Sequence, residues 1–259
     1  MNKLQKLKNY IKNLNKVMLA FSGGVDSTFL LKICHEVLGE NLTAITINSP
    51  YIPNKEIEEA KKITSALGVK HIIIDIPILE EIKSNPKNKC YICKKFMFQR
   101  IFEEAKKLNI HSVLDGTNFD DLKDYRPGMK VLKEFYVKSP LLELGFTKKE
   151  IRILSKELHL FTWDKPAYSC LLSRLEVGTE ITLEKLHRIE MSEIYMNSLG
   201  LKGIRVRSHG DLARIEVEPK DRIRLFDLSL LDKISLKLKE FGFKYVTLDL
   251  QGYKTGSLN

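Results

Sequence analysis

The chain has 259 residues, 43% of them hydrophobic, which is enough for one large α/β domain and a smaller one around ordinary packed cores. Lysine and arginine outnumber aspartate and glutamate by 43 to 33, giving a formal charge of +10 spread along the chain, a balance that suits nucleotides, phosphorylated substrates or RNA, or simply a solvated lysine-rich surface. No apolar run approaches the roughly 20 residues a membrane span needs. The opening MNKLQKLKNYIKNLNK is a charged amphipathic helix and not a signal segment. The four cysteines, at 34, 90, 93 and 170, make no disulfide framework, so a reducing cytoplasm with no membrane partner is the expected setting.

In chain order, VMLAF (17–21) reads as a buried strand, followed by a glycine-rich turn and a helix that stops at Gly39. LTAITIN (42–48) and KHIIIDI (70–76) are β-branched runs of the parallel-sheet kind, with a helix from Asn54 between them. A Cys-x-x-Cys pair, Cys90 and Cys93, stands at the start of a basic helix that runs on through KKFMFQRIFEEAKK. A fourth strand is expected over 112–118, and a helix over 147–160 ahead of FTWDKPAYSCLLSR, where Pro166 blocks helical continuation. Repeated strand–helix–strand units predict a doubly wound parallel α/β sheet over residues 1–174. From 175 onward the pattern changes to a helix (181–199), a hairpin (203–218), helices over 220–241 and a last strand (244–250), which predicts a smaller α+β domain over 175–259.

Ligands of open α/β sheets sit beyond the carboxyl ends of the strands, and the loop after the first strand reads SGGVDS, residues 22–27. Gly23 and Gly24 allow close backbone approach, Ser22 and Ser27 add hydroxyls, and the loop opens a helix whose N-terminus favours anions. It lacks the lysine of G-x-x-x-x-G-K-[ST] and the spacing of G-x-G-x-x-G. It resembles instead the PP-loop of ATP pyrophosphatases, which split ATP between its α and β phosphates. That resemblance implies ATP with Mg²⁺ held in part by Asp26. It also implies that Gly116 and Thr117 of LDGTNFDD (114–121) and Arg126 lie near the α phosphate and ribose; a surface turn is the competing reading of these stretches.

PP-loop enzymes either form amides or thiolate. No glutaminase domain is visible here, whereas cysteines capable of sulfur chemistry are present. SGGVDS, CYICK, DGTN, RPG, SPLLELG, KPAYSCLLSR, RVRSHGDLARIEV and LDLQGYKTGSLN run in one order over residues 17–259 and together resemble the LarE family of ATP-dependent sulfur transferases. The resemblance implies adenylation of a carboxylate of pyridinium-3,5-dicarboxylate mononucleotide and its conversion to a thiocarboxylate for the nickel-pincer cofactor of lactate racemase. It also implies a homo-oligomer, a hexamer in the family. In the single-cysteine form of the family a residue at the position of Cys170 surrenders its own sulfur. Here Cys90 and Cys93 accompany Cys170, as in the family's three-cysteine branch, which implies a [4Fe-4S] cluster on the three thiolates carrying sulfur supplied as sulfide or by another donor. Zinc, or a 90/93 dithiol with Cys170 as donor, are the competing uses of the trio. Cys34 falls on the apolar face of its helix and reads as a core thiol.

In the small domain, alternation places Ile204 and Val206 on one strand face and Arg205 and Arg207 on the other, with Arg214, Glu216 and Glu218 opposite them. Guanidiniums beside an acid suit a phosphate and a cationic ring, or a salt-bridged solvent face. The resemblance assigns Arg205 and Arg207 to the substrate phosphate and adds Ser173, Arg174 and Glu193 to the pocket. Two other readings stand beside this one. A PP-loop tRNA thiolase would use the positive charge, although no RNA-binding module is evident and nucleic acid is not the expected partner. A nucleotide-binding or iron–sulfur regulator without turnover is the other.

Overall fold

The computed structural model describes residues 2–123, 128–166 and 169–254. The chain divides into two compact units, Met1–Pro77 with Asn88–Tyr168, and Ile78–Lys87 with Ser169–Asn259. Residues 78–87 and 169–174 thus group with the small unit, beyond the boundary the sequence pattern suggests. The reason is local: the Gly178 and Ile181 amides donate to the carbonyls of Asn85 and Lys83, and the buried Asn85 side chain donates to those of Leu175 and Glu176.

In the first unit, strands β1 (Val17–Ala20), β2 (Leu42–Asn48), β3 (Lys70–Asp75) and β4 (Ser112–Leu114) form a parallel sheet in the order β3-β2-β1-β4. Val17 lies in register with both Leu42 and Ser112. β1 is therefore central, and its continuous apolar run is what burial on both faces requires. The order grows outward from β1 in both directions, which is the doubly wound topology read from the sequence. Helices α1 (Lys3–Lys12), α2 (Val25–Leu38), α3 (Asn54–Ala66), α4 (Lys89–Lys107), α5 (Met129–Glu134), α6 (Pro140–Glu143) and α7 (Lys148–Glu157) complete the unit. The main core joins Leu7 and Ile11 of α1, Phe29, Leu30 and Ile33 of α2, and Leu141, Phe146 and Ile151. Truncating one such buried phenylalanine to alanine costs about 3–5 kcal/mol. Cys34 sits in this core with no exposed surface, and burial pushes its thiol pKa far up, as befits an inert core thiol.

β4 ends four residues short of the expected 118. Asp115 terminates it by accepting from the Thr117 amide at 3.3 Å and the Thr117 hydroxyl at 2.5 Å, a local turn that competes with the ladder. α7 begins at a capping box between Thr147 and Glu150.

The second unit holds α8 (Leu183–Ser198), β5 (Arg205–His209), β6 (Leu212–Glu216), α9 (Leu228–Glu240) and β7 (Tyr245–Leu248). Its sheet order is β5-β6-β7, antiparallel between β5 and β6 and parallel between β6 and β7. Gly210, at φ +59°, turns the hairpin. Among the described residues no helix is long and apolar enough to cross a membrane.

Candidate functional sites

The candidate site of the first unit is built from backbone. β1 delivers the chain into Ser22–Gly24, and Gly24 caps α2. Gly23 takes φ +68°, a value that side chains rarely tolerate. The Ser22 and Ser27 hydroxyls lie 3.1 Å apart across the loop. Gly116 packs on it so closely that a Cβ would stand 3.0 Å from the Ser27 nitrogen. The loop after β4 therefore meets the turn after β1, as expected for two parts of one nucleotide site.

Asp26, in the first turn of α2, pairs with Lys148 through Oδ2, while its buried Oδ1 takes no hydrogen bond. Burial raises the carboxyl pKa and Asp121 adds to the rise, while Lys148 and Asn118 oppose it. A buried oxygen without a hydrogen bond, on a carboxylate that is costly to ionise, is a fit for a hard divalent cation such as Mg²⁺. Behind the loop, Lys165 is nearly buried and donates to the Gly23 carbonyl at 3.1 Å, with Glu56 and Glu59 carboxylates at 2.8 and 2.6 Å. Burial works against that ammonium, but the two glutamates win and its pKa is raised.

The Cys-x-x-Cys pair forms the first turn of α4, so both thiols occupy one helical face at spacing i, i+3. Cys90 is exposed and Cys93 buried, its sulfur 3.2 Å from the hydroxyl of Tyr51, three residues beyond β2. Lys94 reaches within 3.9 Å of Asp115, the first residue beyond β4. The pair is thereby fixed at the carboxyl edge of the sheet, in the same unit as the glycine loop. A cavity of about 320 Å³ opens on this edge, lined by Asn48, Ser49, Ile52 and Asp75 among others.

The candidate site of the second unit is built from side chains. Arg205, Arg207 and Glu216, all on the polar face of the hairpin, are buried, which removes the reading of that face as solvated. Arg174 is wholly buried and grips Glu193 through a two-pronged ion pair at 2.9 and 3.0 Å. Its remaining prong serves the loop that carries Cys170: Nη1 donates to the carbonyls of Ser169 and Cys170 and to the hydroxyls of Ser169 and Ser173. Arg207 donates to the Ser173 carbonyl and to Glu216, which also receives Arg214 at 3.0 Å. Arg205 lies 5.0 Å from the Tyr253 ring centre. Burial and the nearby Arg174 and Arg207 charges lower the Arg205 pKa, with Glu193 and Tyr253 opposing. A cation so placed gains from an added anion.

Of the residues singled out in the sequence, Ser22, Gly23, Gly24, Asp26, Ser27, Gly116 and Thr117 fall around one loop, and Ser173, Arg174, Glu193, Arg205 and Arg207 form one cluster of charged and polar side chains in the other unit. Arg126 and residues 255–259 of the terminal GYKTGSLN stretch lie outside the described residues. Cys90 and Cys93 belong to the first unit and Cys170, half-buried and outside any disulfide, to the second. Among the described residues no three His, Cys, Asp or Glu side chains converge as a metal-binding group. The donor chemistry of the 90/93 pair, two cysteine sulfurs on one helical turn and outside any disulfide, fits two ligands of a cluster or of zinc. Sequence reasoning missed Lys148, Lys165 and Asp115. Lys148 carried a signal, since a lysine in the first turn of a helix opposes the helix dipole and asks for a partner.

The first comparison agrees with the glycine loop: the NAD synthase family pattern matches residues 2–111. The second extends over both units. The chain is 38% identical over 252 residues, 96% of its length and 91% of the relative's, to the pyridinium-3,5-bisthiocarboxylic acid mononucleotide synthase of Lactiplantibacillus plantarum. The chain belongs to the LarE family. It is a PP-loop, ATP-dependent sulfur transferase of that family. An uncharacterized protein of Synechocystis is 43% identical across 100% of this chain and 97% of its own. Similarity also extends to a glutamine-hydrolyzing GMP synthase component of Thermoplasma acidophilum, 30% identical over 71% of this chain and 64% of that protein. The first two of these relatives thus match this chain across the second unit as well as the loop.

Proposed function

We propose that this chain thiolates a carboxylate of pyridinium-3,5-dicarboxylate mononucleotide, on the route to the nickel-pincer cofactor. The observation that carries the reading is similarity to the named synthase along 96% of the chain. ATP lies on Ser22–Ser27, and Asp26 offers Oδ1 to Mg²⁺ on the pyrophosphate. Arg205 and Arg207 take the phosphate of the mononucleotide, whose charge they match. Glu193, held by Arg174, faces the cationic ring together with Ser173.

The substrate carboxylate oxygen attacks the α phosphorus as the bond to pyrophosphate breaks. A sulfur nucleophile then attacks the acyl carbon, the bond to AMP breaks, and the thiocarboxylate remains. Positioning and charge neutralisation do most of this work, in keeping with the lack of a histidine pair in the motifs. Cys90, Cys93 and Cys170 would together hold a [4Fe-4S] cluster, which supplies an open iron to carry sulfide from an external donor and spares the cysteine sulfur. Arg174 and its contacts keep Cys170 presented for that role. Anaerobic release of pyrophosphate that requires the pyridinium dicarboxylate mononucleotide supports the reading; release indifferent to it, or to a tRNA in its place, decides between the alternatives. Iron and sulfide analysis of oxygen-free protein tests the ligand trio.

A further inference from the structure

Lys165 has no place in the chemistry above, yet it is the most thoroughly engaged lysine around the loop. Three acceptors meet its three ammonium hydrogens: the Gly23 carbonyl, Glu56 and Glu59, the latter two from α3. The peptide between Gly23 and Gly24 is planar and trans, so its carbonyl and its N–H point in opposite directions. With the carbonyl turned onto Lys165, the Gly24 N–H is turned to the other side, where its nearest acceptor is the exposed Ser22 hydroxyl at 3.4 Å. A glycine pair is free to flip such a peptide, and the flipped form would present a carbonyl dipole to an anion. The ammonium removes that freedom.

The same lysine belongs to a clamped segment. Arg152 of α7 donates to the carbonyls of Trp163 at 2.6 Å and Lys165 at 2.7 Å. The Trp163 and Lys165 amides close turns onto Leu160 and Thr162. Cys170 follows only five residues after Lys165.

We propose that Lys165 is a positioning residue that locks the Gly23–Gly24 peptide in its anion-receiving orientation and carries the occupancy of the loop to the segment leading to Cys170. This rests on the glycine loop being the nucleotide site. An anion that engages the Gly24 N–H strengthens the opposite carbonyl as an acceptor, because both belong to one conjugated unit, and so tightens the hold on residues 163–165.

Amide hydrogen exchange of the full chain with Mg²⁺ and α,β-methylene-ATP, which cannot be split at the α–β position, is the test. Slowed exchange is expected at 24–28 and also at 163–165. In Lys165→Met the analogue should bind about tenfold more weakly, as for loss of one charge-assisted hydrogen bond, and at saturation should protect 24–28 while protection at 163–165 is lost. A purely structural lysine would lower the melting temperature without uncoupling the two segments. Protection at 24–28 alone in the wild-type protein overturns the proposal and leaves the nucleotide site standing, and this holds even if the variant fails to fold. No protection at 24–28 overturns the nucleotide site itself.

Discussion

The candidate sites of the two units are made from opposite materials. The loop at 22–27 offers main-chain groups, made available by glycines and by a helix N-terminus, while the pocket around Arg205 and Arg207 offers charged side chains withdrawn from water. A backbone site is robust to its neighbours' charges but intolerant of any added atom. A side-chain site tolerates shape changes and fails when one charge of a buried set is removed. The difference teaches where each half breaks.

The sharpest break should come in the second unit. Arg174→Ala leaves Glu193 buried without its ion pair and the Cys170 loop without its four donor contacts, and should cost about 3–5 kcal/mol of stability in chemical denaturation. Milder in stability but large in function is Arg207→Met, which should raise the KM for the mononucleotide about 10–100-fold, the value of a charge-assisted contact, while the Kd for ATP stays unchanged. In the backbone half, Gly116→Ala should weaken ATP binding and destabilise by about 1–3 kcal/mol, because the new methyl meets Ser27 main chain and not a flexible side chain. Calorimetric titration separates the two variants: one loses the mononucleotide, the other ATP.

A pH experiment sharpens the contrast further. The Asp26 carboxyl titrates above the ordinary aspartate range, so as pH falls it takes up its proton earlier than an exposed aspartate and gives up Mg²⁺. As pH rises through that raised value the buried charge costs stability, which bound Mg²⁺ offsets. Stabilisation by Mg²⁺-ATP in thermal melts should therefore be larger at neutral pH than in acid. Lys148→Met removes a cation that holds the pKa down, so the loss of Mg²⁺-ATP stabilisation should move to higher pH; an unmoved profile would take Asp26 out of the metal's coordination. The smallest effect is reserved for Cys34→Ala, about 1 kcal/mol of core stability with thiolation intact, since that thiol is sealed among apolar side chains.

How much of this the sequence disclosed follows the same division. The strands Val17–Ala20, Leu42–Asn48 and Lys70–Asp75 and the loop between Ala20 and Val25 are local patterns, so periodicity and glycine placement reveal them. The alternation of Arg205 and Arg207 with Ile204 and Val206 was equally legible, but not that the arginine face is buried as well as the apolar one, because burial is decided by what packs on it from elsewhere in the chain. Asp115 ended the fourth strand early through a bond to its own neighbour Thr117, a competition that strand propensity does not register. Lys148 meets Asp26 across 122 residues and Lys165 meets Glu56 across 109, and a lone lysine carries no periodic signal.

The central claim is that the nucleotide loop of one unit and the arginine pocket of the other serve a single thiolation. Mass analysis of the mononucleotide after anaerobic incubation with ATP, Mg²⁺ and isotopically labelled sulfide tests it most directly. The account predicts a carboxylate oxygen replaced by labelled sulfur with the wild-type chain, none with Asp26→Ala, and about 10–100-fold less with Arg207→Met at mononucleotide concentrations below the wild-type KM. An unaltered mononucleotide with folded, ATP-binding wild-type protein, or labelled product undiminished in both variants, would contradict it.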